Sequence, residues 1–183
     1  MKKIFVAILV LTNQFLWAQT QIINYSSGKK QSEGAYFSNS SASTVAASNG
    51  ETRVAPTLAK EGKWNYWYES GKMSSEEFYT NGNPSNTWKT WYESGKQSAE
   101  INYDLKKAIY YYENGKKQSE GQIADDKSFN GKWIGWFESG IKSYDGNYNK
   151  GKKDGDWNWY NEKGKLITKQ NYKDDILIST QKF

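Results

Sequence analysis

A short phrase recurs along the chain: two aromatic residues, a glutamate, a serine or asparagine, a glycine and a lysine. It reads Trp-Tyr-Glu-Ser-Gly-Lys at residues 67–72 and again at 91–96, with looser copies at 111–116, 136–141 and 160–165. We call the glycines of these copies the anchor glycines; they are spaced by 24, 20, 25 and 24 residues and comprise Gly71, Gly95, Gly115, Gly140 and Gly164. Such a period is typical of a repeat architecture, in which each unit buries its apolar face only against its neighbours. The spacing therefore constrains the fold and disfavours a buried enzyme pocket.

Each repeat is predicted to form a β-hairpin. Two runs rich in aromatic residues flank the anchor glycine, which supplies the positive φ that a tight turn requires. Looser turns between the repeats carry their own signals, such as Asn81-Gly82 and Asn130-Gly131. The pattern thus predicts an all-β chain of tandem antiparallel hairpins.

Large rings stand at several fixed places before the anchor, on both faces of the predicted sheet. Because side chains alternate along a strand, Trp64, Tyr66 and Tyr68 are expected on one face. The residue four before the anchor points the other way, and we call this column the aromatic stripe: Trp67, Trp91, Tyr111, Trp136 and Tyr160. The stripe is the candidate ligand-binding site, since rings already fill the opposite face. Packing in the core is the alternative reading of the same column.

The chain divides into four predicted segments. Residues 1–18 form a signal peptide, residues 19–37 a degenerate first repeat around Gly28, residues 38–60 a flexible insertion rich in Ser, Ala and Thr, and residues 61–183 the main repeat array. The first unit is expected to dock on the array, because a single hairpin is barely stable, although an independent unit on a linker remains the alternative. The apolar run at residues 176–178 is expected to form a C-terminal capping strand.

The first 18 residues predict export. Lys2 and Lys3 precede an apolar run at residues 4–11, and Ala18 offers a cleavage site. The run is too short to span a bilayer, and no segment of the mature chain is predicted to cross a membrane. The protein is therefore expected in the periplasm or outside the cell.

Composition excludes several kinds of chemistry. The chain has no histidine and no cysteine, which removes the commonest general base, the commonest zinc ligands and any Ser-His-Asp or Cys-His nucleophile. Removing the signal leaves 23 basic against 20 acidic residues, a net charge of +3 without a clustered basic face. We therefore expect no enzyme activity, no cofactor, no metal and no nucleic-acid partner. The glutamates two before each anchor are expected to be solvent-facing turn charges.

The best copy of the full pattern runs from Gly131-Lys132-Trp133 to Gly146-Asn147-Tyr148 and on to Trp157. This pattern resembles the variant MORN repeat, and chains of this kind are grouped as YwqK-like, a family labelled as antitoxins of toxin–antitoxin systems. The resemblance implies an elongated, twisted single sheet and a scaffold role with lipid or protein partners. Ala108 departs from the pattern, and the antitoxin label conflicts with a signal peptide.

Residues 62–73 are also similar to the Trp-rich repeats of cell-wall and choline-binding proteins, whose rings form cages for ammonium or sugar groups. The longer period and the glutamate before the anchor favour MORN. Two functions remain as expectations: a protein–protein interaction scaffold, or a carbohydrate or cell-wall binding module that uses the aromatic stripe.

Overall fold

The computed structural model describes residues 19–46 and 52–183, so the predicted signal peptide lies outside the described residues. Fifteen strands make up the described fold: β1 (Gln19–Asn24), β2 (Lys30–Ala46), β3 (Thr52–Trp67), β4 (Met73–Thr80), β5 (Asn83–Pro84), β6 (Thr87–Trp91), β7 (Gln97–Asn102), β8 (Lys107–Tyr111), β9 (Lys117–Ile123), β10 (Phe129–Trp136), β11 (Lys142–Asn149), β12 (Lys152–Lys153), β13 (Gly155–Tyr160), β14 (Leu166–Lys173) and β15 (Ile176–Lys182).

All of these strands belong to one open antiparallel sheet, in which neighbours follow the order of the sequence. The two-residue strands β5 and β12 pair with β4 and β11 beside the main path. The predicted all-β fold of tandem hairpins in a single sheet is confirmed. The described part of the chain contains no helix suited to crossing a membrane.

The tight turns form as the anchor glycines predict. The N–H of Gly71 donates to the carbonyl of Tyr68, and the N–H of Tyr68 donates to that of Lys72, both at 2.8 Å. The anchors and Gly28 all have φ between 77° and 92°, and at Gly71 an added Cβ would meet nothing within 4 Å. Conformation rather than space therefore requires glycine here. Residues 25–29 make the same turn, so the weak first copy folds like the others.

The core consists of tryptophans lying flat on glycines of the neighbouring strand. Trp133 is 1% exposed, and a Cβ added to Gly121 would come within 2.3 Å of its ring. Trp64 over Gly34 and Trp157 over Gly146 repeat the arrangement at 2.1 and 2.2 Å. The indole N–H of each of these rings donates to a backbone carbonyl of the same neighbouring strand, at 2.9–3.1 Å. A single-layer sheet thereby buries a large ring on one face.

Two inner repeats lack this glycine, and each adjusts differently. Ile101 takes the place of glycine and pairs with Ala108, which is fully buried in the space that a tryptophan ring would fill. The departure at Ala108 is therefore a volume exchange between neighbouring strands. Where Glu77 stands instead of glycine, Trp88 stays half-buried but keeps its hydrogen bond, at 2.7 Å to the carbonyl of Phe78.

The segment predicted as a flexible insertion, residues 38–60, forms paired strands over its described residues. Residues 38–46 continue β2 and pair with residues 52–58 of β3, with a register shift between Asn39 and Ser43. The β-branched residues near the hairpin end, such as Thr44 and Val45, favour a strand, and the ladder pairs backbone groups that an isolated loop would leave to water. Whether this hairpin is flexible stays a prediction, as do the other segment boundaries.

The last strand ends the repeat pattern. β15 pairs with β14 and forms one edge of the sheet. Its Thr180 stands opposite Gln170, at the place where the preceding repeats carry their core tryptophan or alanine. β15 therefore extends the ladder without supplying a ring, and its apolar residues are exposed, with Ile176 at 66% and Ile178 at 61%.

Candidate binding face

The structure arranges the five predicted site residues in a row. Each is the last residue of the first strand of its hairpin, on β3, β6, β8, β10 and β13. Trp67 and Lys63 alternate along β3 with the core residue Trp64, so the stripe lies on the face opposite the buried tryptophans. Successive stripe residues are two strands apart, about 10 Å. All five are half-buried, and we call this side of the sheet the stripe face.

A ladder of tyrosine hydroxyls fixes the backbone beneath the stripe. Each donor stands three residues before its glycine and donates to the carbonyl of the stripe residue in the next repeat, at 2.6–2.7 Å: Tyr25 to Trp67, Tyr68 to Trp91, Tyr92 to Tyr111 and Tyr112 to Trp136. The series ends at Phe137, which has no hydroxyl. Sequence reasoning placed Tyr68 on the core face and missed this role, although tyrosine recurs at this position from Tyr25 onward.

Three stripe rings are covered by a lysine from the preceding repeat. The lysine stands two residues after its glycine and pairs with an acid three residues further on, at 2.6–2.7 Å. Its ammonium lies 4.1–5.9 Å from the ring centroid in the sets Lys30–Glu33–Trp67, Lys117–Glu120–Trp136 and Lys142–Asp145–Tyr160. These rings therefore share their face with ion pairs instead of forming a bare aromatic platform.

The last of these sets is the most densely hydrogen-bonded. Burial opposes ionisation of Asp145, but hydrogen bonds from Lys142, Asn158 and Tyr160 outweigh it and hold the pKa of this carboxyl below its usual range. The hydrogen bond to Asp145 is the main cause that raises the pKa of Lys142. Both groups are thus charged at neutral pH, and the ion pair is fixed in position.

The centre of the stripe differs. At the position of the covering lysine, the two central repeats carry Met73, which precedes Trp91, and Gln97, which precedes Tyr111. The acids of these repeats are Glu76, paired with Lys63 at 2.6 Å, and Glu100, which has no ion pair among the described residues. The middle of the face thus lacks the covering lysine, and Lys89 of β6 stands between Glu76 and Glu100 in the strand register.

The opposite face holds two lysines inside aromatic cages. The ammonium of Lys60 lies 4.7–5.0 Å from the ring centroids of Trp64, Tyr66 and Tyr79, and it also contacts the Tyr66 hydroxyl. Burial lowers the pKa of Lys60, and the nearby Glu77 carboxylate partly offsets this. Lys153 is caged in the corresponding place of the last repeat, at 4.8–5.0 Å from three rings. Sequence analysis missed these cages, because the lysine stands eleven residues before the anchor, outside the recurring phrase.

The remaining polar features lie on the exposed surface of the sheet. The glutamates two before each anchor are exposed on the turns: Glu69, Glu93, Glu113, Glu138 and Glu162. The described residues contain no group of three or more acidic, histidine or cysteine side chains that could hold a metal. Depressions along the sheet are open and have volumes of 300–370 Å³.

Comparison with known protein families agrees with this geometry. Three stretches match the MORN repeat variant: residues 60–83, 106–125 and 153–174. Each contains an anchor glycine and its hairpin, and the hairpins between them have the same structure. These three stretches are therefore similar to MORN repeats, which are generally modules that bind proteins or membranes. No curated protein matches the chain.

Proposed function

We propose that the chain is an exported, non-enzymatic MORN-repeat protein that acts as a scaffold for protein–protein interaction. The observation that supports this proposal best is the mixed character of the stripe face, where half-buried rings alternate with lysine–carboxylate pairs. Protein interfaces combine apolar anchors with a polar surround in this way, whereas a sugar platform requires exposed rings in a row.

Export to the periplasm or the cell exterior rests on the pattern of residues 1–18. The likeness to YwqK-like chains stays a prediction, and with it the antitoxin label. An antitoxin acts where its toxin is made, so export favours the scaffold role. Mass spectrometry of the secreted or periplasmic protein checks this directly: the mature chain is expected to begin at Gln19, whereas an intact Met1 in the cytoplasmic fraction would contradict export.

The lack of histidine and cysteine supports a non-catalytic role, and the modest net charge supports a partner other than nucleic acid. A second function, carbohydrate or cell-wall binding, is favoured by one observation. The stripe residues recur at two-strand intervals, and Trp91 and Tyr111 have no covering lysine. A glycan chain is therefore the alternative partner.

The test uses the mature chain as bait in an envelope or secreted-protein extract, beside Trp91→Ala and Trp136→Ala variants. A Glu93→Ala variant on an exposed turn serves as the control. We expect a protein partner that the control retains and the stripe variants lose while remaining folded by circular dichroism. Tryptophan fluorescence with purified peptidoglycan forms the second arm. A saturable emission shift lost in the stripe variants, without any captured protein, would replace the scaffold function by glycan binding.

A further inference from the structure

We propose that the centre of the stripe face is a docking site for a lysine side chain of a protein partner, whose ammonium binds between the Glu100 carboxylate and the Tyr111 ring. The inference rests on the proposed scaffold function and specifies the chemistry of the partner.

The chain itself supplies the template for this site. In three repeats an ammonium already lies between the acid of one repeat and the stripe ring of the next. For Lys117 the distances are 2.7 Å to the carboxylate of Glu120 and 5.9 Å to the centroid of Trp136. For Lys142 they are 2.6 Å to Asp145 and 4.1 Å to Tyr160. The repeat geometry therefore suits a lysine ammonium at this position.

In the repeat of Gly95 the same two groups are present without that ammonium. Gln97 replaces the lysine, and its amide reaches Glu100 with a long hydrogen bond of 3.3 Å. Lys89 stands opposite Glu100 in the strand register but forms no ion pair within the described structure. Burial, and next the negative charge of Glu100, raise the pKa of Tyr111. Glu100 is the one acid of its column in the described structure that no ammonium neutralises.

The surroundings fit an interface centre. Trp91, Met73 and Ile109 are half-buried on or beside this face, while ion pairs such as Lys117–Glu120 occupy the next repeat. Apolar groups and a half-buried carboxylate at the centre, with paired charges around them, match the anatomy of protein interfaces. Methionine adapts its shape to a partner more easily than other apolar side chains do. The complementary partner presents a lysine flanked by apolar residues.

The probe is a capped pentapeptide, Ala-Leu-Lys-Leu-Ala, titrated into the isotope-labelled mature chain and followed by NMR amide shifts. We expect saturable shifts around residues 97–111. Glu100→Gln removes the carboxylate, and Gln97→Lys fills the site from within, as Lys117 does in its own repeat. Each variant is expected to weaken binding about threefold to tenfold, the range for a partly exposed charge pair.

Matched controls separate the site from general electrostatics. Glu113→Gln removes a turn carboxylate, and Gln181→Lys adds a charge on the exposed strand β15; both should bind like the unmodified chain. The same peptide with Nε-acetyl-lysine should not bind. Equal weakening by the controls, equal binding of the acetylated peptide or no saturable shift would each refute the site. Competition by tetramethylammonium with no preference for the peptide would mean a small organic ammonium is the ligand and would overturn the partner assignment.

This test can fail separately from the proposed function. A partner protein that is lost with Trp91→Ala but retained by Glu100→Gln and Gln97→Lys would leave the scaffold standing and remove the lysine site. If no partner depends on the stripe residues, the scaffold proposal itself is wrong.

Discussion

The contact between Gly146 and Trp157 should tolerate an added side chain poorly. The φ of Gly146 lies outside the left-handed region, so alanine is compatible with its backbone and on entropy alone would stabilise by about 0.4–1 kcal/mol. An added Cβ would nevertheless come within 2.2 Å of the Trp157 ring, which is 1% exposed. If the Trp157 ring shifts to make room for the added Cβ, overpacking would lower the free energy of unfolding by about 1–3 kcal/mol. Complete expulsion would cost about 5 kcal/mol, from roughly 200 Å² of apolar surface at about 25 cal/mol/Å².

We therefore expect Gly146→Ala to lower the free energy of unfolding by about 2–4 kcal/mol. Urea unfolding followed by far-ultraviolet circular dichroism and tryptophan fluorescence measures it. Asn147→Ala, on the exposed neighbouring position, is the control and should change stability by less than about 0.5 kcal/mol. A Gly146→Ala chain as stable as this control, or more stable, would refute the packing argument.

Three further outcomes follow from the same geometry. Tyr112→Phe removes a hydroxyl that donates to the Trp136 carbonyl at 2.7 Å, and it should lower the free energy of unfolding in urea by about 1 kcal/mol. Phe137→Tyr should not destabilise the fold and can extend the ladder of tyrosine hydroxyls by one step. Equal effects of the two substitutions would contradict the ladder. Gly115→Ala forces a side chain to φ 84° and should cost about 1–2 kcal/mol in the same assay, with Asn114→Ala as a weaker neighbour. The folded-state pKa of Asp145 is depressed, so the stabilisation by its carboxylate is present above the unfolded pKa of about 4 and is lost as the pH falls through the folded pKa. The difference in urea midpoint between the native chain and Asp145→Asn should therefore shrink below about pH 4. A difference that is constant with pH would show that the charge of Asp145 is not responsible.

The turns and the repeat order could be predicted from the sequence because both depend on local signals. A glycine such as Gly71 fixes a positive φ by its own chemistry, and five copies fix the register of the hairpins. The sheet confirms that prediction. The weak copy at Gly28 could be identified for the same reason, since its turn needs no information from other repeats.

Packing between strands was harder to predict from the sequence, because it depends on pairs of residues that lie far apart in the chain. Gly146 looks like a turn residue when read alone, yet it lies within β11 and leaves room for Trp157. The pair Ile101 and Ala108 looked like an irregularity for the same reason, since its logic is visible only across the strand pair. Composition predicted a flexible insertion at residues 38–60; strand pairing of residues 38–46 with 52–58 is visible only across the two strands, and the flexibility of the segment stays a prediction.

The structure arranges the stripe residues in a row, but the chemistry of their surface could not be derived from aromatic spacing. The covering lysines come from the preceding repeat, so each covered ring is modified by a residue 18 to 37 positions earlier, as with Lys142 over Tyr160 and Lys30 over Trp67. Whether the stripe residues bind a ligand stays a prediction.

The two faces of this sheet cover their aromatic rings in different ways, and the difference bears on function. On the core face, rings cover rings: Trp157 is overlaid by Tyr148 and Trp159 with centroids at 4.9 and 5.8 Å, so that face is largely occupied by its own side chains. On the stripe face, the rings at the two ends are covered by lysines held in ion pairs, and only the central repeats lack that cover. A partner that supplies its own cation at the centre would complete the pattern, and this is the reason for proposing a lysine-bearing protein instead of a neutral glycan.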